Sequence, residues 1–289
     1  MAADEAGGRL ARAKVNLTLH LRGQRGDGLH LLDSLVVFPA LGDRLSFRDA
    51  DGFSLTLSGP FGRDLSVGED NLVLRAAREL AGHAGMRQGA ALHLEKNLPL
   101  ASGIGGGSSD AATALHFLAR HWGCEIPDAL ALGLGADVPV CLRAPIAQRM
   151  QGIGEDLTPV PGLPQCWMVL VNPLVEVPTG AVFGRVRDKC PPSAPGLPAG
   201  GFDRFEDLTQ WLGTQRNDLQ APAIEICPVI GEVLAALDGA PVARMSGSGA
   251  TCFALLPDQA SATGLAAEIG SKTGWWASAA PVGGAPPTV

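Results

Sequence analysis

Four glycines in five positions, Gly103, Gly105, Gly106 and Gly107, stand directly ahead of a stretch that reads only as a helix, and this junction constrains the chain more than anything else in it. The full segment is Pro99, Leu100, Ala101, Ser102, Gly103, Ile104, Gly105, Gly106, Gly107, Ser108 and Ser109, followed by an alanine-rich run through Leu118. Glycine adopts positive φ freely and lets the backbone approach a ligand with no Cβ in the way, at an entropic cost that needs compensation. Ser108 or Ser109 is placed to cap the helix, whose free N–H groups and positive dipole end then aim at the glycine turn. A phosphate bound there supplies the compensation. The loop lacks the Gly-Lys-Ser/Thr ending of a Walker loop, and no βαβ unit with a well-spaced acidic residue makes it a dinucleotide fingerprint. The plain alternative is a ligand-free flexible turn, but linkers rarely run from an apolar segment (Ala91, Leu92, Leu94) into a capped helix.

The 289 residues, 46% of them hydrophobic, suffice for one large domain or two ordinary ones, and two is the expectation. A net charge of −7 without any basic run leaves no electrostatic footprint for nucleic acid or an anionic membrane, so an anion must be held locally. Met1 to Arg9 contains Asp4 and Glu5 and no apolar core, unlike a secretory or transit peptide, and the apolar stretches are too short to span a bilayer. The expectation is a soluble cytoplasmic protein. The six cysteines show neither Cys-x-x-Cys pairs nor histidines at ligand spacing, so zinc and disulfides are not expected. Lysine is scarce: Lys14, Lys96, Lys189 and Lys272 are the only candidates for a mechanism that needs one.

From Leu10 to Leu21 the residues alternate, predicting one strand with Val15, Leu17, Leu19 and Leu21 on its apolar face and Lys14, Asn16, Thr18 and His20 on its polar face. Further strands are predicted at Leu35 to Phe38, Phe53 to Leu57, Ala91 to Leu94 and Trp167 to Val171, with a strand-turn-strand around Val242 to Leu256. Helices are predicted over Asn71 to Gly82, Asp128 to Leu134 and Ala223 to Leu237. Asp137 falls in a turn where Pro139 stops helical continuation. The proline- and glycine-rich Cys190 to Gly201 reads as a flexible loop and Gly283 to Val289 as a frayed tail. A composition change places a boundary near residue 158.

Five motifs in order along residues 11–254 carry a resemblance: Ala13-Lys14-Val15-Asn16-Leu17, Asp27-Gly28-Leu29-His30, Leu134-Gly135-Ala136-Asp137-Val138-Pro139, Asn217-Asp218-Leu219 and Met245-Ser246-Gly247-Ser248-Gly249-Ala250. With the glycine loop, they are similar to the GHMP kinase family, and within it to the branch that phosphorylates 4-diphosphocytidyl-2-C-methyl-D-erythritol in the non-mevalonate isoprenoid pathway. The resemblance implies an α+β, two-domain GHMP kinase fold. Its N-terminal domain, 1–158, resembles ribosomal protein S5 domain 2, and its C-terminal domain, 159–289, is ferredoxin-like.

The resemblance also implies roles. Pro99 to Ser109 would hold the phosphates of ATP, with Ser108 or Ser109 near a Mg2+ ion whose carboxylate ligands are not identifiable. Asp137 would accept the proton of the attacking hydroxyl, while Lys14 orients the aspartate and stabilises charge on the alcohol oxygen. The Ser246 to Gly249 turn would form a second polar wall of the cleft. Asn16, His30, Thr179 and Phe183 would contact the substrate, His30 by hydrogen bonding to the cytosine. The family usually sandwiches that base between two aromatics, one of them preceding the histidine, whereas here the position is Leu29 in a chain without tyrosine. The partners implied are small molecules, with no nucleic acid or membrane, and with monomer and homodimer both left open. Kinases of homoserine, mevalonate or a galactose-like sugar, and a non-catalytic nucleotide binder, are the alternatives.

Overall fold

In the computed structural model, which describes residues 8–160 and 162–284, the strands follow in chain order. They are β1 (Arg9–Arg12), β2 (Val15–Asn16), β3 (His20–Gln24), β4 (His30–Val37), β5 (Gly42–Ala50), β6 (Ser54–Ser58), β7 (Gly89–Glu95), β8 (Gln148–Gly152), β9 (Asp156–Pro159), β10 (Cys166–Asn172), β11 (Val242–Met245), β12 (Cys252–Leu256) and β13 (Trp276–Val282). The helices are α1 (Leu72–Ala84), α2 (Gly106–Trp122), α3 (Asp128–Leu134), α4 (Val138–Cys141), α5 (Thr179–Arg185), α6 (Phe205–Gly213), α7 (Gln220–Ile226), α8 (Val229–Ala236) and α9 (Gln259–Thr273). Among the described residues they form two compact units that interleave along the sequence: 8–13, 41–100 and 105–143 make one, and 14–40, 101–104, 144–160 and 162–284 the other.

The first unit is a four-stranded sheet in the order β1-β5-β7-β6, antiparallel except for the parallel β6–β7 pair. Leu45, Leu92 and Leu94 of the sheet are buried, as are Leu74 and Leu80 of α1 and Leu115 and Leu118 of α2. Helix α1 starts where Asn71 caps it, its side chain accepting from Val73 N at 2.9 Å, and stops at Gly85 in the left-handed conformation. Helix α2 ends likewise at Gly123. Its start differs from the serine cap expected: Gly105, at φ 64°, is the cap, and Gly106 and Gly107 already belong to the helix. A left-handed residue needs no side-chain oxygen to launch the turn, so the helix begins at Gly106, two residues ahead of Ser108.

The second unit holds two sheets. One has the order β2-β4-β8-β9, with β3 also paired to β4; the other, β11-β12-β10-β13, is antiparallel throughout. Leu19, Leu21, Val169, Val171, Val182, Ile230, Val233 and Ile269 belong to one buried cluster.

Several expectations are revised. The strand foreseen from Leu10 to Leu21 is broken into β1, β2 and the start of β3, and its supposed polar face is buried: Lys14 is 5% exposed, and Asn16, Thr18 and His20 are buried too. Alternation implies solvent on one side only when the polar residues find no internal partners, and here they do. The helix expected over Ala223 to Leu237 is two helices, α7 and α8, because Pro228 lacks the N–H to continue the first. Pro139 does not end a helix; it lies in the opening turn of α4, where the missing N–H costs nothing, with Asp137 as the cap residue. Gly283 and Gly284 are packed against the chain, with Gly284 N donating to Leu163 O at 3.0 Å, while the rest of the expected tail, 285–289, and residues 1–7 lie outside the described residues. The proline-rich loop has no regular structure but is held by side chains: Arg22 on Ser193, Arg216 on Pro192 O, Gln215 on Pro195 O and Trp211 on Gly196 O.

Candidate active site

Around the tip of the glycine loop, three residues are fixed by hydrogen bonds inside the second unit. Ser102 O accepts from the Thr251 hydroxyl at 2.6 Å and from Thr251 N at 3.2 Å, Gly103 O from the Ser246 hydroxyl at 3.3 Å, and Ile104 O from Lys14 N at 2.9 Å. Gly103 has φ 72°, and a Cβ there would lie 2.4 Å from Gly249 O. Its missing side chain therefore makes room for the Ser246–Gly249 turn, a packing reason beside the close approach of a ligand that the sequence suggests. Ala101 is left-handed as well, at φ 47°, a conformation costing about 1–2 kcal/mol for a residue with a Cβ. The flanks of the loop, Pro99 and Leu100 before and Gly105 to Ser109 after, belong to the first unit. There the Ser109 hydroxyl donates to Arg12 O at 2.5 Å, so Ser109 serves the fold, and Ser108 is the serine left beside the start of α2.

The lysine motif is tied to the same turn. Lys14 Nζ donates to Asn16 Oδ1 at 3.1 Å, Asn16 N donates to the Ser246 hydroxyl at 3.1 Å, and Asn16 Nδ2 donates to Ser34 Oγ at 2.8 Å. Asn217, part of another motif, holds the turn from behind, with Nδ2 donating to Met245 O and Gly247 O at 2.8 Å each. Arg244 is buried with its guanidinium on Leu17 O, Leu212 O and Gln215 O, and burial pushes its pKa down to about 10. Asp137, in the first unit, is partly exposed at the start of α4.

A second region lies on the β3–β4 hairpin. Asp27 and Gly28 make its turn, with Leu29 N donating to Asp27 Oδ1 at 3.2 Å and Gly28 at φ 90°. Beyond it is a cavity of about 480 Å³ lined by Leu29, His30, Leu32, Ile153, Phe183 and Lys189 among others. The volume lies in the range of small-molecule pockets, and the lining is mostly apolar with a few polar groups. The His30 and Phe183 rings lie 4.9 Å apart, tilted by 31°. Burial, with help from the Lys189 ammonium, holds the His30 imidazole below its ordinary pKa, which keeps it neutral near pH 7. Leu29 is 48% exposed at the rim. Thr179, at the start of the same helix as Phe183, shares a hydrogen bond of 2.9 Å with Ser248. The structure thus brings Lys14 and Asn16 together with the loop tip, Thr179 against the serine turn, and His30 against Phe183.

One group escaped sequence reasoning. Lys96 is 2% exposed, and its ammonium donates to Asp43 and, at 2.8 Å, to Asp110 Oδ2. Burial opposes the charge on Lys96, but the two carboxylates outweigh it and its pKa is raised; burial also raises that of Asp110. Asp43 and Asp110 are far apart in the chain and neither forms a motif with Lys96, so only the fold assembles them.

Family models describing the GHMP kinases N terminal domain and the GHMP kinases C terminal domain match residues 71–144 and 193–274. A protein of Cereibacter sphaeroides named 4-diphosphocytidyl-2-C-methyl-D-erythritol kinase is 54% identical over 92% of this chain and 95% of its own length. The chain belongs to the GHMP kinase family. A relative of the same name from Paramagnetospirillum magneticum is 50% identical to this GHMP kinase over the same shares of the two chains. A crystal structure of 4-(cytidine 5'-diphospho)-2C-methyl-D-erythritol kinase superposes with a TM-score of 0.80 at 35% identity, covering 96% of this chain and 99% of the other. A homoserine kinase from Cytophaga hutchinsonii, at 20% identity and a TM-score of 0.65 over 94% and 93% of the chains, shares the GHMP kinase fold.

Proposed function

We propose that this chain transfers the γ-phosphoryl group of ATP to the 2-hydroxyl of 4-diphosphocytidyl-2-C-methyl-D-erythritol, in the non-mevalonate pathway to isoprenoid precursors. The observation that carries this reading is the 54% identity, over 95% of its length, to a relative named as that kinase. The cavity beside His30 and Phe183, sized for a small molecule and lined by apolar groups, supports it.

The roles follow from the chemistry of phosphoryl transfer, which is mainly positioning and charge stabilisation. Pro99 to Ser109 receive the phosphates of ATP, with the free amides at the start of α2 as donors. Asp137 accepts the proton from the 2-hydroxyl, whose oxygen forms the new bond to phosphorus as the bridging bond to ADP breaks. Lys14 orients Asp137 and stabilises the alkoxide charge. Asn16 and Thr179 bind the acceptor; neutral His30 hydrogen-bonds the cytosine and Phe183 stacks on it. No cluster of three metal-binding side chains occurs among the described residues. A Mg2+ ion would arrive on the nucleotide, since Mg2+ keeps most of its waters and takes only one or two protein groups, and the Ser108 hydroxyl would be the group that holds it. When bound, the ion neutralises charge on the phosphates. Among the described residues no helix is long and apolar enough to cross a membrane, and we place the reaction in the cytoplasm.

The test is an assay of ADP release with the diphosphocytidyl acceptor beside homoserine, mevalonate and galactose. Efficient turnover is expected with the first alone. Comparable turnover of another alcohol would overturn the substrate assignment, and ATP binding without turnover of any would leave a nucleotide-binding protein.

A further inference from the structure

The buried trio of Lys96, Asp43 and Asp110 grips both flanks of the glycine loop. Ahead of the loop, Asp43 Oδ1 accepts from Asn97 N at 2.5 Å and Leu98 N at 2.8 Å, fixing the two residues before Pro99. Behind it, Asp110 stands in the opening turns of α2 and takes the Lys96 ammonium on Oδ2, while its Oδ1 is buried with no partner. Lys96 also lies under the first residue of α2: a Cβ on Gly106 would come within 3.1 Å of its Nζ. Three groups that are charged in water are each at most 2% exposed in their side chains, a desolvation that only good mutual geometry offsets. Such a cluster adds less to stability than an apolar one of the same volume, so its presence calls for a reason beyond packing.

We propose that the Lys96–Asp43–Asp110 cluster is the positioning element of the phosphate loop, clamping the chain that enters it to the helix that leaves it so that the Gly106 and Gly107 amides meet the nucleotide preset. This rests on reading Pro99 to Ser109 as the ATP phosphate site. Lys96 touches no phosphate: its ammonium is spent on the two carboxylates, and it acts through the backbone it holds. The same geometry explains Gly106, where any side chain presses on Lys96 before it reaches a ligand.

Two variants test it: Asp110→Asn, which keeps the shape, and the charge-balanced pair Lys96→Gln with Asp110→Asn, which leaves Asp43 on its two backbone amides. In each, KM for ATP and the Kd of ADP by titration calorimetry are expected to rise together by about tenfold, the scale on which sub-ångström misplacement of a binding element acts, with KM for the acceptor within about twofold. A purely structural cluster would lower the melting temperature and leave both KM values in place. That outcome in the folded double variant overturns the inference. Gly107→Val is the control, because a Cβ there meets only Leu72, at an ordinary 3.6 Å, and does not press on Lys96. If Gly107→Val binds ADP normally, the phosphate-site reading falls and this inference with it; if Gly107→Val alone loses ADP, only the positioning role is refuted.

Discussion

Around the glycine loop the contacts that set geometry are backbone carbonyls, buried hydroxyls and buried ions, whereas around the cavity beside His30 they are half-exposed side chains on a hairpin and a short helix. Ser102 O, Gly103 O and Ile104 O are each held within the second unit, and the loop's flanks are held by Lys96 and Asp43. The cavity rim, by contrast, includes Leu29, 48% exposed, and Lys189, whose partner Gln24 is itself exposed. The contrast locates where such an enzyme has room to vary. A phosphate is recognised by amides that every residue possesses, so its site is specified by backbone shape, and any change there disturbs packing. A nucleobase is recognised by side chains, and those at an exposed rim are replaced at little cost in stability. Leu29, where the family resemblance implies an aromatic, stands at such a rim position.

The largest expected effect belongs to neither region. Asp137→Asn should lower kcat by about 10²–10⁴, the usual contribution of a general base, while ADP affinity stays within about twofold. Near-normal turnover in that variant would remove Asp137 from its role. Next is Gly103→Ala, which puts a Cβ 2.4 Å from Gly249 O at a left-handed φ. A loss of about 2–4 kcal/mol is expected, read as a fall in melting temperature of about 5–10 °C together with a higher KM for ATP. A tolerated alanine would erase the contrast between the two regions. At the rim, Leu29→Tyr should lower KM for the cytidine substrate by about fivefold, near the low end of base–aromatic stacking, with the melting temperature within about 1 °C. An unchanged or raised KM would mean that leucine already packs the base as well as a ring does.

The smallest effect is on pH dependence. Burial, aided by Arg216, pushes His20 down to about 4, and its ring accepts from Arg216 N at 3.3 Å. The unfolded chain, with its histidine near 6.5, binds the proton first, so stability present above pH 6.5 is lost as pH falls from there toward 4. His20→Gln should flatten the change in melting temperature between pH 7 and 5 by a few degrees. An unaltered slope would assign the acid sensitivity elsewhere.

What was readable in the sequence divides along the same line. The loop announced itself because its backbone requirement is written as glycine, and α1 and α3 did because apolar spacing decides a helix, with local caps at both ends of α1. The β2 segment misled because alternation assumes a wet side, and Lys14, Asn16 and Thr18 have protein on both. The serines after Gly107 looked like caps, but a left-handed Gly105 launched the helix earlier. Lys96 was visible only as one of four lysines, since nothing near it in sequence foretells two buried carboxylates from β5 and α2.

The interleaving of the two units sets a timetable for synthesis. Strand β4 pairs in the finished sheet with β8, Val36 opposite Gln148, and with little else except β2 and the β3 hairpin. At ribosomal speeds of roughly 5–20 residues per second, β4 must wait about 6–20 s with an apolar edge unpaired while the whole first unit is made. During that interval the nascent chain, and not the finished enzyme, is most exposed to aggregation, so slowing translation before residue 148 should cost more active protein than slowing it after.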